Sequence, residues 1–365
     1  MLKYIGHFVG WLLLGGNALM VVLMLVCAYS PYIDPIEHSL LACTGLAFPV
    51  FLTINLLYLL FWVIFYRKYA LLSLLGILLC WGAVRDYIPL NCTQKKEIPE
   101  DAIKLLSYNV MAYEHDNPHT KEEPNRILEY LANSDADIIC TQEAIVNTSK
   151  RSQFLTDRNV REALKDYPYY ARLQEERNAW ECFSRYPILS KKKIDYVSRS
   201  NGSVAYEIKI GNDTLLLINN HLESNKLTSD DKAVYKEMIT DPEKEKVKSG
   251  FKQLFSKIAS AMAIRASQAD SVAKYIRNSP HQYVVVCGDF NDSPISYTHK
   301  TIGESLKDAF VESGCGLGIS YNQNGFYFRI DHILVSNNWD VFNCIVDKSL
   351  DNSDHYPIWC YLKKQ

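Results

Sequence analysis

The sequence has no CxxC pair, no internal repeat and no low-complexity tract. Seven of its ten cysteines lie beyond residue 86 (Cys92, Cys140, Cys182, Cys287, Cys315, Cys344, Cys360), an odd number without metal-binding spacing. That pattern suggests neither a disulfide framework nor a zinc site. Cys140, Cys287 and Cys360 sit inside apolar runs, where a thiol acts as a small hydrophobe. A reducing compartment fits, and so does an outer one that does not use disulfides. A basic surplus is missing too. From Lys95 onward 35 basic residues stand against 38 acidic ones, whereas a domain that grips duplex DNA through its phosphates usually carries a clear excess. Nucleic acid is therefore a partner the composition does not favour.

Charge is also absent from two long stretches, 8–29 and 39–66. Each is long enough to cross a hydrocarbon core of ~30 Å as a helix. A signal peptide is the alternative for the first, but its core is long and a second span follows. A third run, 69–84, is shorter and closed by Arg85 and Asp86. Lys3 precedes the first span and Arg67 and Lys68 follow the second, so the basic flanks belong inside. If 69–84 also spans, which its Leu-rich and uncharged character favours, the remaining chain faces outward. If it lies in the interface, the chain stays in the cytosol. The reading is a membrane anchor over 1–85, a linker over 86–101 with two prolines, and one domain over 102–365. A three-span anchor suggests a bacterial inner membrane with the domain in the periplasm.

Within that domain, strand-like runs occupy 103–110, 137–143, 214–223, 283–290, 329–336 and 356–362, and helical periodicity marks 123–134 and 256–278. A layered α/β domain follows. The doubly signed segment 225–250 reads as a solvated helical insertion. Several strands end on polar groups that are costly to bury unpaired: Asn109, Gln142 and Glu143, Asn220 and His221, Asp289 and Asn291. Asp331–His332 and Asp354–His355 add two late pairs. Gathered on one rim, such groups suit Mg²⁺, with Mn²⁺ as a substitute. On a strand His332 faces away from Asp331 and reads as a packed histidine. Asp292 reads as a turn residue before Pro294. His115, His119, His281 and His299 have no motif around them and read as surface or loop residues.

The segments "LLSYNV", "CTQEA", "NNHLES", "CGDFNDSP", "RIDHILVS" and "NSDHYPIW" together resemble the endonuclease/exonuclease/phosphatase superfamily. That group includes deoxyribonuclease I-like and exonuclease III-like nucleases, inositol-polyphosphate phosphatases and neutral sphingomyelinases. The resemblance covers about residues 100–365. It implies a four-layer α/β sandwich, two packed sheets flanked by helices, with the site at one edge. It further implies that Glu143 is the principal Mg²⁺ ligand, helped by Asn109 and Asp354. Asp289 would orient or deprotonate the attacking water, and Asn291 would hold a phosphate oxygen. His355, oriented by Asp331, would donate to charge developing on phosphorus, with His221 as a second donor. Arg265 resembles the arginine opening the helix before the GDFN strand, a weaker candidate for substrate contact. The expected function is a membrane-anchored phosphoesterase, a phosphodiester being favoured. A membrane-anchored nuclease and a catalytically silent module that binds a phosphorylated ligand are the alternatives.

Overall fold

The computed structural model describes residues 2–92, 97–114, 119–120, 123–146, 155–175, 178–198, 200–240, 245–323 and 326–365. Five helices come first: α1 (Leu2–Tyr29), α2 (Pro35–Ala42), α3 (Phe48–Phe65), α4 (Ala70–Leu79) and α5 (Trp81–Tyr87). Phe8–Tyr32 and Pro35–Phe65 are long and apolar enough to cross a membrane. Arg67–Leu79 and Trp81–Tyr87 supply a third candidate if that pair, bent by 65°, is one span. The run 69–84 is therefore not one straight helix. The stretch 39–66 is also broken, by a 3-10 turn at Cys43–Ala47.

Asn17 fixes how α1, α3 and α4 pack. Its Oδ1 accepts from Trp62 Nε1 at 2.9 Å and Ser73 Oγ at 3.0 Å, and its Nδ2 donates to Asn55 Oδ1 at 3.3 Å. Each of these groups would cost several kcal/mol unpaired in hydrocarbon, of order 2–7. The contacts also set direction. Ser73 meets Asn17, Gly76 lies against Val21 and Met24, and Tyr29 donates to the Leu79 carbonyl at 3.2 Å. Thus α4 runs parallel to α1, back toward the end where the domain sits.

The strands are β1 (Ile103–Asn109), β2 (Ile138–Gln142), β3 (Tyr169–Glu175), β4 (Asn178–Ser184), β5 (Ile188–Lys193), β6 (Gly202–Ile210), β7 (Asp213–His221), β8 (Tyr283–Asp289), β9 (Leu306–Asp308), β10 (Tyr321–Gln323), β11 (Phe326–Phe328), β12 (Asp331–Ser336), β13 (Trp339–Val346) and β14 (Ile358–Lys364). They build two six-stranded sheets, ordered β13-β14-β1-β2-β4-β3 and β5-β6-β7-β8-β12-β9, with β10-β11 as a separate hairpin. The other helices are α6 (Arg126–Asn133), α7 (Asp157–Ala163), α8 (Ser229–Thr240), α9 (Glu245–Arg277), α10 (Tyr297–Ile302) and α11 (Ala309–Ser313).

Alternation along the strands decides what each face buries. Ile103, Leu105, Ile138, Cys140, Leu215, Leu217, Val285, Cys287 and Ile333 meet between the sheets. The intervening residues pack outward in two flanking cores. Leu106, Tyr108 and Ile139 join Ile127, Leu128 and Leu131 of α6. Val284, Val286 and Leu334 join Ala269 and Val272 of α9. The result is the four-layer sandwich that the resemblance implies. Followed to the strand ends, the inter-sheet face arrives at Asn109, His221, Asp289 and Asp331.

The N-terminal helices dock on this domain. Ala42 and Cys43 pack on Ala259 and Met262 of α9. Ile295, six residues past Asp289, is buried among Met24, Cys27, Phe48, Leu52 and Ile77. The connecting segment is fastened as well: Gly316 N–H donates to the Pro89 carbonyl at 2.8 Å, and Asn91 Nδ2 donates to the carbonyls of Val311 and Gly314. Cys92 and Cys315 form a disulfide, contrary to the expectation from cysteine spacing. The two are 223 residues apart and meet only because the linker returns to the loop after α11. The other eight cysteines are free and buried. Residues 225–250 are not a simple solvated insertion, since Tyr235 of α8 stacks on Phe326 at 4.2 Å; 241–244 lie outside the described residues.

Gly288 stands inside β8 with φ +122°, and a Cβ there would lie 2.1 Å from the Asn220 carbonyl oxygen. Gly211, at φ +62°, has open space around it. Gly288→Ala should therefore destabilise the chain by about 3 kcal/mol or more through clash and strain together. Gly211→Ala should cost only ~1 kcal/mol. Denaturant unfolding of the two variants, side by side, checks this; equal effects would contradict it.

Candidate active site

The rim is set by the ends of six strands, with Asp289 and Asn291 both at the end of β8. Asp289 closes β8 and faces Asp331 of β12 directly across the antiparallel pair. In parallel register it also lies beside His221 of β7. Both aspartates are almost wholly buried, so two like charges share a space with little water. His355 lies between them. Its Nδ1–H donates to Asp331 Oδ2 at 2.7 Å, and its Nε2 lies 3.6 Å from Asp289 Oδ2. Burial alone would depress this imidazole, but the Asp331 and Asp289 carboxylates outweigh it and hold its pKa well above the ordinary value. Asp289 is pushed up to about 6, chiefly by burial, with His355 pulling against the rise.

His221 is in the opposite state. Asn178 fixes it: the Asn178 amide nitrogen donates to Ser200 O at 3.0 Å and to His221 Nδ1 at 2.7 Å. The orientation of that amide follows from its oxygen, which accepts from the backbone N–H groups of Glu143 (3.1 Å) and Ala179 (2.8 Å). With Nδ1 accepting, the proton of a neutral ring sits on Nε2, which lies 3.5 Å from Glu143 Oε1 and 3.6 Å from Asp289 Oδ2. Burial lowers its pKa, so His221 is a neutral donor where His355 is a charged one.

Glu143 is far more open than Asp289, its side chain 38% exposed. Asn109 Nδ2 reaches both Glu143 Oε1 and Asp289 Oδ2, at 3.2 Å each. Asn291 N–H donates to Asp289 Oδ1 at 2.8 Å, and its amide nitrogen donates to the Leu222 carbonyl at 3.0 Å. Glu143 (φ 54°) and Asn291 (φ 53°) both occupy the left-handed region, which costs a non-glycine residue of order 1–3 kcal/mol and clusters at functional sites. Asp354 is half-buried, and its charge is felt at Glu143, His221 and His355. The rim thus gathers Asn109, Glu143, His221, Asp289, Asn291, Asp331 and His355, with Asp354 beside them.

Other polar residues of the strand ends go elsewhere. Gln142 points between the sheets and donates to Asn219 Oδ1 at 2.7 Å, and Asn220 accepts from Ser203 Oγ on the outer face. Arg265 is buried rather than open to a substrate. Its guanidinium is taken up by Asp292 (3.2 Å), the Glu223 carbonyl (2.8 Å) and Asn225 Oδ1 (2.9 Å). Asp292 is accordingly an ion-pair partner, not a bland turn residue. His332 is packed on the second face, as its strand parity requires, with Nε2 3.0 Å from the Asp292 carbonyl. His299 is buried against Asp308 and not on the surface; His115 lies outside the described residues. Two residues not singled out in the sequence complete the site. Asn178 opens β4, and Ser353 donates to the Asn109 carbonyl at 2.8 Å while accepting from His355 N–H.

Four carboxylates (Glu143, Asp289, Asp331, Asp354) stand against one imidazolium here, with oxygen donors at the open end. Such a set fits a hard divalent cation. A sequence profile described as Endonuclease/Exonuclease/phosphatase family matches residues 106–355, and one described as a domain of unknown function (DUF8431) matches residues 10–87. No curated protein matches the chain. Among solved structures, an endonuclease/exonuclease/phosphatase from Bacteroides vulgatus is 16% identical, with TM-score 0.49, covering 72% of this chain and 99% of that one. D. rerio TDP2 complexed with single strand DNA product is 15% identical, with TM-score 0.48, covering 73% and 100%. A Bacteroides thetaiotaomicron family protein is 16% identical, with TM-score 0.48, covering 73% and 98%. The chain belongs to the endonuclease/exonuclease/phosphatase family, metal-dependent hydrolases that act on phosphate esters.

Proposed function

We propose that this protein is a Mg²⁺-dependent phosphodiesterase working at a membrane surface, anchored by its N-terminal helices. The observation that carries the reading is the convergence on one rim of a buried carboxylate, a charged histidine and a neutral histidine, joined to a loop that ends inside the anchor. Glu143, Asn109 and Asp354 would hold the Mg²⁺, which when bound neutralises charge on the phosphoryl oxygens. The chain's own groups do the rest. Asp289, fixed by the Asn291 and Asn109 N–H donors, accepts a proton from the attacking water. His355, kept protonated by Asp331, donates to charge developing on phosphorus or on the leaving oxygen. His221 donates from Nε2 without carrying a charge, and Asn291 directs its remaining amide hydrogen at a phosphate oxygen.

The location follows from Ile295. The loop from Asp289 to Ile295 runs from the catalytic base into the helical anchor, so the substrate is taken close to the membrane. Lys3 and the Arg67–Lys68 turn lie at the ends of the helices remote from the domain. Basic flanks stay cytoplasmic, which supports a domain on the opposite side, and the Cys92–Cys315 disulfide suits an oxidising compartment. A bacterial inner membrane with a periplasmic domain fits both.

Three outcomes test this reading. Asp289→Asn and Glu143→Ala should each lower Mg²⁺-dependent hydrolysis of an aryl phosphodiester by about 10²–10⁴-fold in variants that still unfold cooperatively; full activity in either would sink the mechanism. Plasmid nicking that is fast and steeply salt-dependent would instead favour the nuclease.

The pH profile of kcat/KM should be bell-shaped. Its acid limb lies at or below about 6, since Asp289 must be ionised and a bound cation lowers its pKa further. Its alkaline limb is lost as pH rises through the elevated pKa of His355. Asp331→Asn removes the charge that raises that pKa, so the alkaline limb should move down by ~1–3 units; an unmoved limb would remove His355 from the role of acid. Asn178→Ala, which frees both Glu143 and His221, should lower activity by roughly 10–100-fold. For topology, alkaline phosphatase fused after Gln365 should be active in a bacterial host and a green fluorescent protein fusion dark; the reverse would put the domain in the cytosol.

A further inference from the structure

On the outer face of the second sheet, His299 of α10, Asp308 at the end of β9 and His332 of β12 come together, all buried. His299 Nε2 is 2.9 Å from Asp308 Oδ2, and His332 Nδ1 is 3.8 Å from the same oxygen. One ligand atom from each of the three lies within 4.8 Å of the others. We propose that these residues form a second divalent-cation site, suited to Zn²⁺, at the junction of the domain with the helical anchor.

Hydrogen bonding fixes the donor atoms. His332 Nε2–H donates to the Asp292 carbonyl at 3.0 Å, so in the neutral ring the lone pair is on Nδ1. That atom is buried and, among the described residues, has no partner within hydrogen-bond distance, Asp308 Oδ2 lying 3.8 Å away. A bare lone pair facing a carboxylate oxygen is two electron-rich atoms with nothing positive between them, and a cation supplies what is missing. Asp308 is prepared in the same way. Its Oδ1 accepts from the N–H groups of Phe310 (2.7 Å) and Val311 (3.2 Å), which leaves Oδ2 for the site. Metal-ligating histidines usually donate their other ring N–H to a carbonyl or carboxylate, and ligating carboxylates are themselves held. His332 and Asp308 meet both conditions.

Two imidazoles and one carboxylate suit Zn²⁺ and not Mg²⁺, which wants oxygens. His299 and Asp308 line a cavity of about 530 Å³ that also reaches Asp86, Tyr29 and Leu79 of the anchor segment. The cavity gives an ion its path and offers the Asp86 carboxylate or a water as fourth ligand. Arg329 stands near, but its guanidinium is engaged by the carbonyls of Asp86 and Leu317, and the Asp86 and Asp308 carboxylates together outweigh its charge. The site is separate from the catalytic rim, because His332 and Asp331 lie on opposite faces of β12.

The test uses the full chain in detergent, stripped by chelator and re-equilibrated with Zn²⁺ under excess Mg²⁺, then desalted for metal analysis. One retained Zn²⁺ per chain is expected, with an unfolding midpoint above that of the stripped protein. His299→Asn, which keeps a hydrogen-bond donor for Asp308 but is a poor zinc ligand, should weaken retention by about a hundredfold, whereas Glu143→Ala should leave it unchanged. No retained Zn²⁺, equal retention in His299→Asn, or loss in Glu143→Ala would overturn the proposal; the first would mark a network held by protons alone. Should His299→Asn fail to fold, Co²⁺ substitution of the unaltered chain decides: intense tetrahedral bands support the site, and pale octahedral bands overturn it.

Discussion

Asp289 and Asp331 face one another at the end of an apolar core, and the rest of the rim answers to that juxtaposition. Burying one carboxylate is expensive, and burying two together is worse unless a cation or hydrogen bonds intervene. The structure meets the cost with His355 between them, Asn109 and the Asn291 backbone on Asp289, and the Ser320 hydroxyl, which accepts from Asp331 N–H and holds that residue's backbone. The remaining negative charge at the open end is what prepares the rim for a divalent ion. The proposed proton acceptor and proton donor thus arise from the same crowding, the one raised by burial and the other by its neighbours' charge.

The two histidines show how one fold prepares opposite protonation states a few ångströms apart. His355 has a carboxylate on Nδ1 and is charged. His221 has an amide N–H there, and its ring must leave the proton on Nε2. Asn178 does this while its oxygen holds the backbone of Glu143, so one side chain couples the orientation of an imidazole to that of the nearest carboxylate. Two of the non-glycine residues with left-handed backbone, Glu143 and Asn291, also lie there.

Much of this was legible in the sequence. The six strands read from apolar runs are three consecutive ones inside each sheet, β14-β1-β2 and β7-β8-β12. Covered on both faces, they are near-continuously apolar. The edge strand β5 carries Lys191, Lys192 and Lys193, and β4 carries the buried Glu181 within its apolar run, so neither stands out. Parity along β12 correctly separated Asp331 from His332. What stayed hidden depends on long-range contact. Asn178 has no motif, and the Cys92–Cys315 pair depends on the linker's return path. Arg265 falls within the expected helix but mid-way along α9 rather than at its start, and in the wrong role, because only packing reveals that Asp292 occupies its guanidinium. The break at Cys80 is likewise silent in a run of uniform hydropathy.

Ile295 has a consequence for kinetics. A residue six positions from the proposed base is inserted among the membrane-spanning candidates, so the catalytic loop cannot rise from the bilayer without emptying that pocket. An enzyme held in this way searches in two dimensions. Under the proposed membrane-surface function, its rate would follow the mole fraction of substrate in the surface and not its bulk molarity, and diluting the lipid with an inert one would slow it at constant total concentration.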